Sequence, residues 1–263
     1  MTTGRWIELD GVANMRDVGG LPTRDGRTVR PRRLLRSDNL QDLSDADVTH
    51  LVEVLGVSDI VDLRSETELH ASGPGPLRRV GSLSHHHHSL LPERVHEDAD
   101  QVARQALVVP RTSTPDRRDA RFWAEHYLGY LSERPDSVSA ALDVIARSTG
   151  ATVVHCAAGK DRTGTVVGMA LDVAGVPPEE IVADYVLTSE RIDRILDRLR
   201  SNALYSEALR ERDIAAAEQS PRPEAIEAIL RTVTEGYGGA DGWLRAHGWS
   251  ADEVARLRDR LTR

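Results

Sequence analysis

Residues 151–175, ATVVHCAAGKDRTGTVVGMALDVAG, decide the fold. Ala151 to His155 are apolar and largely β-branched and read as a buried strand. Arg162 to Ala174 carry a helical pattern that ends at Gly175, a residue suited to the position just past a helix. The turn between them is short and glycine-containing. Successive backbone N–H groups in such a turn point into one concavity, and the positive end of the helix dipole lies at its mouth. A strand, an anion-cradling turn and a helix form a unit of an open α/β sheet, with the ligand at the carboxyl end of the strand.

The turn carries the chain's only cysteine, Cys156, and its only lysine, Lys160; Arg162 completes a Cys-x5-Arg spacing. A thiol in such a concavity has its anionic form stabilised. The N–H groups of Ala157, Ala158, Gly159 and their neighbours are placed to hold the peripheral oxygens of a phosphate, and Arg162 to grip two of them in a bidentate fork that tightens as charge develops. Gly159 permits close backbone approach, Gly164 close packing of the helix on the sheet, and Thr163 offers a hydroxyl to the thiolate or to a phosphocysteine intermediate. A lone cysteine is often an inert small hydrophobe, but the arginine, the two glycines and the strand-to-helix context speak for a nucleophile. A Walker A loop fits poorly because its Gly-Lys-Ser/Thr ending is missing. Zinc also fits poorly: one Cys-His pair stands alone, and adjacent strand residues face opposite ways. No metal and no cofactor is expected. His155 reads as a buried, hydrogen-bonded residue that shapes the loop.

HCAAGKDRTG, His155 to Gly164, resembles the active-site signature of the bacterial atypical dual- and triple-specificity tyrosine phosphatases with HCxxGKDRTG loops. Asn14-Met15-Arg16-Asp17-Val18-Gly19-Gly20 is similar to that family's NFRDxGG element, with Met15 in place of Phe. Leu35-Arg36-Ser37, Asp62-Leu63-Arg64-Ser65, Ala183-Asp184-Tyr185 and the stretch around Gly242-Trp243-Leu244 are similar to further family segments. The resemblance implies a phosphatase-like α/β fold and hydrolysis of phosphotyrosine, with phosphoserine, phosphothreonine and phosphoinositides as further substrates. It implies Cys156 as nucleophile, Arg162 as phosphate clamp and Lys160 as positive charge at the pocket rim. The leaving oxygen needs a carboxylic acid within hydrogen-bond reach, and the Trp-Pro-Asp tripeptide of many tyrosine phosphatases does not occur here. Asp161 is the first candidate. Asp62 is the second, with an orienting role toward Arg162 or the loop backbone as its alternative; Arg64 reads as a similar support or a surface charge.

Composition bounds the rest. The 263 residues suit a single domain, 1–263, with a substantial core. One cysteine excludes an intramolecular disulfide. No leader-like or bilayer-spanning apolar run is evident, so a cytoplasmic enzyme without stable membrane insertion is expected. A net charge of −8, from 34 Lys plus Arg against 42 Asp plus Glu, argues against nucleic acid as a partner. An anionic substrate, a phosphorylated protein or a phosphoinositide, must then be drawn by the local field of the loop.

Outward from the loop, strands and helices alternate, which predicts a central mostly parallel sheet flanked by helices, with a helical C-terminal half. Ser44 caps a helix to Leu55, closed by Gly56; a strand spans Asp59 to Leu63; a short helix covers 66–70; Gly73-Pro74-Gly75-Pro76 is a loop. A second strand is expected over Arg79 to Leu83, a long loop over 89–115, and helices over 116–131 and 136–148. Pro178 opens a helix, and Ser250 with Glu253 forms a capping box. The helical stretch 188–235 exceeds a minimal core. Within it Asn202 to Ser220 is charge-rich, and is read either as a mobile cover of the site or as a solvated extension. His85 to His88 suggest a strand end or loop near the sheet, and Trp6, Trp123, Trp243 and Trp249 suggest packing residues. The competing functional classes are a non-catalytic phosphate-binding module and, less well matched, sulfur transfer or arsenate reduction.

Overall fold

The computed structural model describes residues 5–92, 103–104, 107, 120–210 and 219–263. Among the described residues, five strands form one sheet: β1 Arg16–Asp17, β2 Leu34–Ser37, β3 Val57–Asp62, β4 Ser84–His87 and β5 Ala151–His155, in the order β1-β2-β5-β3-β4. Only β1 runs antiparallel to its neighbour; the other pairings are parallel. The register aligns Ser37, His155, Asp62 and His87 in one row at the carboxyl end. Side chains alternate across the pleat. Val153 of β5 and Ile60 of β3 therefore join the smaller core with Met15, Leu35, Leu40 and Leu51, while Val154, Cys156, Val61 and Leu63 face the larger one.

The helix expected from Ser44 is observed as α1, Asp45–Thr49, continued by one wider turn, His50–Val54, and closed by Gly56 at φ +67°. Ser44 and Asp47 cap it reciprocally. The short helix α2 covers Glu66–Ser72. Helices α3, Ala120–Glu133, and α4, Pro135–Arg147, precede the central strand, and α5, Asp161–Val173, follows it. Then come α6 Pro178–Val186, α7 Ile192–Ser201, α8 Ala203–Arg210, α9 Pro223–Tyr237, α10 Ala240–Ala246 and α11 Ala251–Leu261. The Ser250–Glu253 capping box opens α11 as read. No helix among the described residues is long and apolar enough to cross a membrane.

Two expectations need correction. The strand predicted over Arg79 to Leu83 lies further on. Pro76 opens a tight turn of 3-10 helix, Pro76–Arg79, and the histidine run itself supplies the strand. As an edge strand with one neighbour, β4 tolerates imidazoles. Their ring nitrogens meet Leu77 O (His85, 3.3 Å), Asp59 Oδ1 (His86, 2.9 Å) and Arg64 O (His87, 2.7 Å). The second concerns Asn202 to Ser220. Its residues 211–218 lie outside the described ones, but in α8 Tyr205 and Leu209 are buried, so this helix is no solvated extension. Of the expected loop 89–115, only 89–92, 103–104 and 107 are described, with Leu90, Leu91, Ala103 and Leu107 in the larger core.

Candidate active site

The loop between β5 and α5 is shaped from behind. Gly159 has φ +66°, and a Cβ there would meet Ser37 C and O at 2.5 Å and Asp38 N at 2.6 Å, so only glycine fits. Asn39 N donates to Ala157 O at 3.1 Å, Asn14 Nδ2 to Ala158 O at 3.0 Å and to Gly159 O at 3.1 Å, and Arg36 Nη2 to Gly159 O at 3.0 Å. Three successive carbonyls are thus drawn outward. Across planar trans peptides the N–H points opposite to the C=O, so the N–H groups of Ala158, Gly159 and Lys160 turn to the inside, where an anion would sit.

The supports are themselves locked. Arg16 Nη1 donates to Asn14 Oδ1 at 2.6 Å and Arg16 Nη2 to Asp184 O at 2.8 Å. The Asp184 carboxylate accepts from Arg5 (3.0 Å), Arg16 (3.3 Å) and Arg36 (2.7 Å). Burial alone would raise its pKa, but Arg16 and Arg36 overcome this and hold it well below the usual carboxylate range. Burial, and then repulsion from Arg36, push Arg16 down to about 9. The N-terminal strand and α6 are therefore clamped to the loop through one carboxylate. Asp38 adds a second anchor: it accepts from the backbone N–H of Ala13 and Asn14 and pairs with Arg198 of α7.

Arg162, 1% exposed, is gripped by Glu68 of α2: Nη1 to Oε2 at 2.6 Å and Nη2 to Oε1 at 3.1 Å. Glu68 also accepts from Ser65 N at 2.8 Å, as the capping box of α2, and from the Tyr205 hydroxyl at 2.8 Å. Burial pushes its carboxyl up; the Arg162 guanidinium and these donors outweigh that and leave it lowered. Burial likewise opposes the charge on Arg162, yet Glu68 and then Cys156 raise its pKa well above the ordinary value.

Asp62 does not hold Arg162 or the loop backbone. It forks with Arg64 (Nη2 to Oδ2 2.6 Å, Nε to Oδ1 3.0 Å), and its Oδ2 lies 3.4 Å from His155 Nε2. The pleat explains this: Asp62 and His155 share the sheet face opposite to Leu63 and Cys156. The charges of His155 and Arg64 overcome burial and hold Asp62 ionised far below the ordinary range, while burial lowers His155 to about 4. These residues border a cavity of about 590 Å3 on that face, with Leu69, His85 and His87 on its walls.

Asp161 sits on the cysteine side, in the first turn of α5. Lys160 Nζ donates to its Oδ1 at 2.6 Å, and the Tyr127 hydroxyl of α3 donates to the same oxygen. Burial would raise Asp161, but the Lys160 charge leads a set of contacts that leaves it lowered. Lys160 Nζ also lies 4.9 Å from the Trp123 ring centre. Thr163 Oγ1 is buried and meets no hydrogen-bond partner among the described residues. Cys156, Lys160, Arg162 and Thr163 are all 2% exposed or less, so the loop is covered.

A profile of the tyrosine phosphatase family matches residues 7–263. The chain belongs to this family. It is accordingly an enzyme, a phosphoric monoester hydrolase. The triple specificity protein phosphatase PtpB of Mycobacterium tuberculosis is 30% identical over 95% of this chain and 97% of its own length. A tyrosine-protein phosphatase of Nostoc commune is 30% identical over 86% and 73%, and a putative tyrosine-protein phosphatase of Cupriavidus necator 29% over 91% and 82%.

Cys156 to Lys160 lie in the turn between β5 and α5, whereas Asp161, expected in that turn, joins Arg162 and Thr163 in the first turn of α5; sequence reasoning gave no role to Glu68, Tyr127, Tyr185 or Tyr205. For Glu68 a signal existed: Ser65-x-x-Glu68 before an apolar run is a capping box. The tyrosines carry no local signal, because their partners are 34 to 137 residues away.

Proposed function

We propose that this phosphatase hydrolyses phosphotyrosine through a phosphocysteine intermediate, with phosphoserine, phosphothreonine and phosphoinositides as further substrates. Supporting this reading above all is the buried Glu68–Arg162 fork beside a loop whose carbonyls are tied back and whose N–H groups face inward. Cys156 Sγ attacks phosphorus, the bond to the leaving oxygen breaks, and Asp161 delivers a proton to that oxygen. Water then attacks the phosphorus of phosphocysteine, the S–P bond breaks and returns the Cys156 thiolate, Asp161 takes up the proton of the water, and phosphate leaves. Ala157, Ala158, Gly159 and Lys160 supply N–H donors, Arg162 clamps two phosphate oxygens, and the unpartnered Thr163 hydroxyl serves the departing thiolate. Asp62, ionised and turned to the other sheet face, orients Arg64 and His155 rather than giving up a proton.

Residues 1–263 act as one domain on this reading, with part of 188–235 as the cover. Tyr205 of α8 lies on Glu68, so the cover must shift before substrate reaches Cys156. Lys160 suits substrates with several phosphates once it leaves Asp161. The test is turnover of a phosphotyrosine peptide and of phosphoinositides by wild type, Cys156→Ser and Lys160→Met. Cys156→Ser should abolish turnover but retain phosphopeptide binding, and Lys160→Met should lose more activity on phosphoinositide than on peptide. A wild type that binds phosphopeptide tightly and turns over nothing would leave a phosphate-binding module instead.

A further inference from the structure

The proton chemistry of the loop depends on residues outside it. Both donors to Asp161, Lys160 Nζ and the Tyr127 hydroxyl, meet the same oxygen, Oδ1. Neither of these two donors meets Oδ2. Tyr127 has one hydroxyl proton and spends it on Asp161, so at 2.6 Å the Tyr185 hydroxyl must be the donor to Tyr127. The tyrosines come from α3 and α6, and both are fully buried. Tyr185 follows Asp184 directly, so the outer hydroxyl rides on the carboxylate that clamps Arg16 and Arg36.

A carboxyl group acts as an acid through one oxygen while the other only accepts. Tyr127 satisfies the accepting oxygen in either protonation state. Lys160, a cation, favours the ionised state alone. A phosphate dianion in the loop competes for Lys160, and Tyr127 is then the donor that remains on Oδ1. The titratable groups that act on Asp161 are Lys160 from the loop, Tyr127, Tyr130 and His126 from α3, and Tyr185 from α6. Of these, Lys160 and Tyr127 donate hydrogen bonds to the carboxylate.

We propose that Tyr127, backed by Tyr185, is a positioning residue that fixes Oδ1 of Asp161 and thereby aims Oδ2 at the leaving oxygen. The proposal rests on the reading of Asp161 as the acid. Its test compares para-nitrophenyl phosphate, whose leaving group needs no proton, with phenyl phosphate, whose leaving group does, in wild type, Asp161→Asn, Tyr127→Phe and Tyr185→Phe. Asp161→Asn should lose at least about 10²-fold in kcat on phenyl phosphate and far less on the nitrophenyl ester. Tyr127→Phe should show the same selectivity at about tenfold, the worth of one hydrogen bond, and Tyr185→Phe the same direction at smaller size. KM for both esters should stay unchanged. General structural damage would instead lower both substrates together. If Asp161→Asn is selective and Tyr127→Phe is not, the positioning role falls and the acid assignment stands. If Asp161→Asn is not selective, the acid assignment fails and the role of Tyr127 fails with it. Should Tyr127→Phe not fold, Tyr185→Phe decides: an equal loss on both esters overturns the proposal.

Discussion

Glu68→Gln is the most diagnostic change outside the loop, because it keeps shape and removes charge. Among the described residues, four hydrogen bonds reach the Glu68 carboxylate, and all come from donors. Oε2 takes Arg162 Nη1 at 2.6 Å and Ser65 N at 2.8 Å; Oε1 takes Arg162 Nη2 at 3.1 Å and the Tyr205 hydroxyl at 2.8 Å. A glutamine amide has one accepting oxygen, so in either orientation two donors face an N–H2 group. Arg162, 1% exposed, loses the carboxylate charge it forks with. Breaking a buried pair from one side costs about 3–5 kcal/mol. Relaxation of Tyr205 and entry of water would bring the observed loss toward the lower end. Activity should fall as well, since a misplacement of about 1 Å costs on the order of 10²-fold. The assay is urea unfolding at neutral pH together with kcat/KM on para-nitrophenyl phosphate. A lowered midpoint at unchanged m, with kcat/KM down about 10²-fold, is expected. An unchanged midpoint and unchanged kcat/KM would refute the view that Glu68 holds Arg162 in place.

Gly159→Ala should remove activity with little change in overall fold content: the left-handed backbone and the Cβ contact with Ser37 and Asp38 backbone together cost about 2–5 kcal/mol, checked by thermal unfolding and turnover. Acid should destabilise the protein in two stages. His155 is depressed from 6.5 to about 4, so the unfolded chain takes up its proton first as pH falls from 6.5 toward 4, and about 3 kcal/mol is lost across that window. Glu68, Asp161 and Asp184 are also lowered; their stabilisation is complete above the unfolded carboxylate range and disappears as pH falls through their folded values. In urea titrations His155→Gln should flatten the first stage and leave the second; an unchanged slope between pH 6.5 and 4 would count against the buried neutral imidazole.

What the sequence made legible follows the range of the forces involved. The loop reads directly, because strand, turn, glycines and helix are neighbours in the chain and each obeys a local rule; so do the Ser44 and Ser250 caps. The strand placed at Arg79 to Leu83 was displaced because alternation says nothing of edge or centre, and an edge strand accepted three imidazoles where a central one would not. The side of the sheet on which Asp62 falls depends on its register with His155, a tertiary fact, and that register separates it from the cysteine face. The polar shell was the least legible part. Asp184 binds arginines 148 to 179 residues away, and Tyr205 reaches Glu68 across 137. Such pairs leave no periodicity. They are nonetheless strongly specified, because each buried charge without its partner costs several kcal/mol, and the arrangement that pairs Arg16 and Arg36 with Asp184 also sets Arg36 Nη2 on the carbonyl of Gly159 and so ties the loop back.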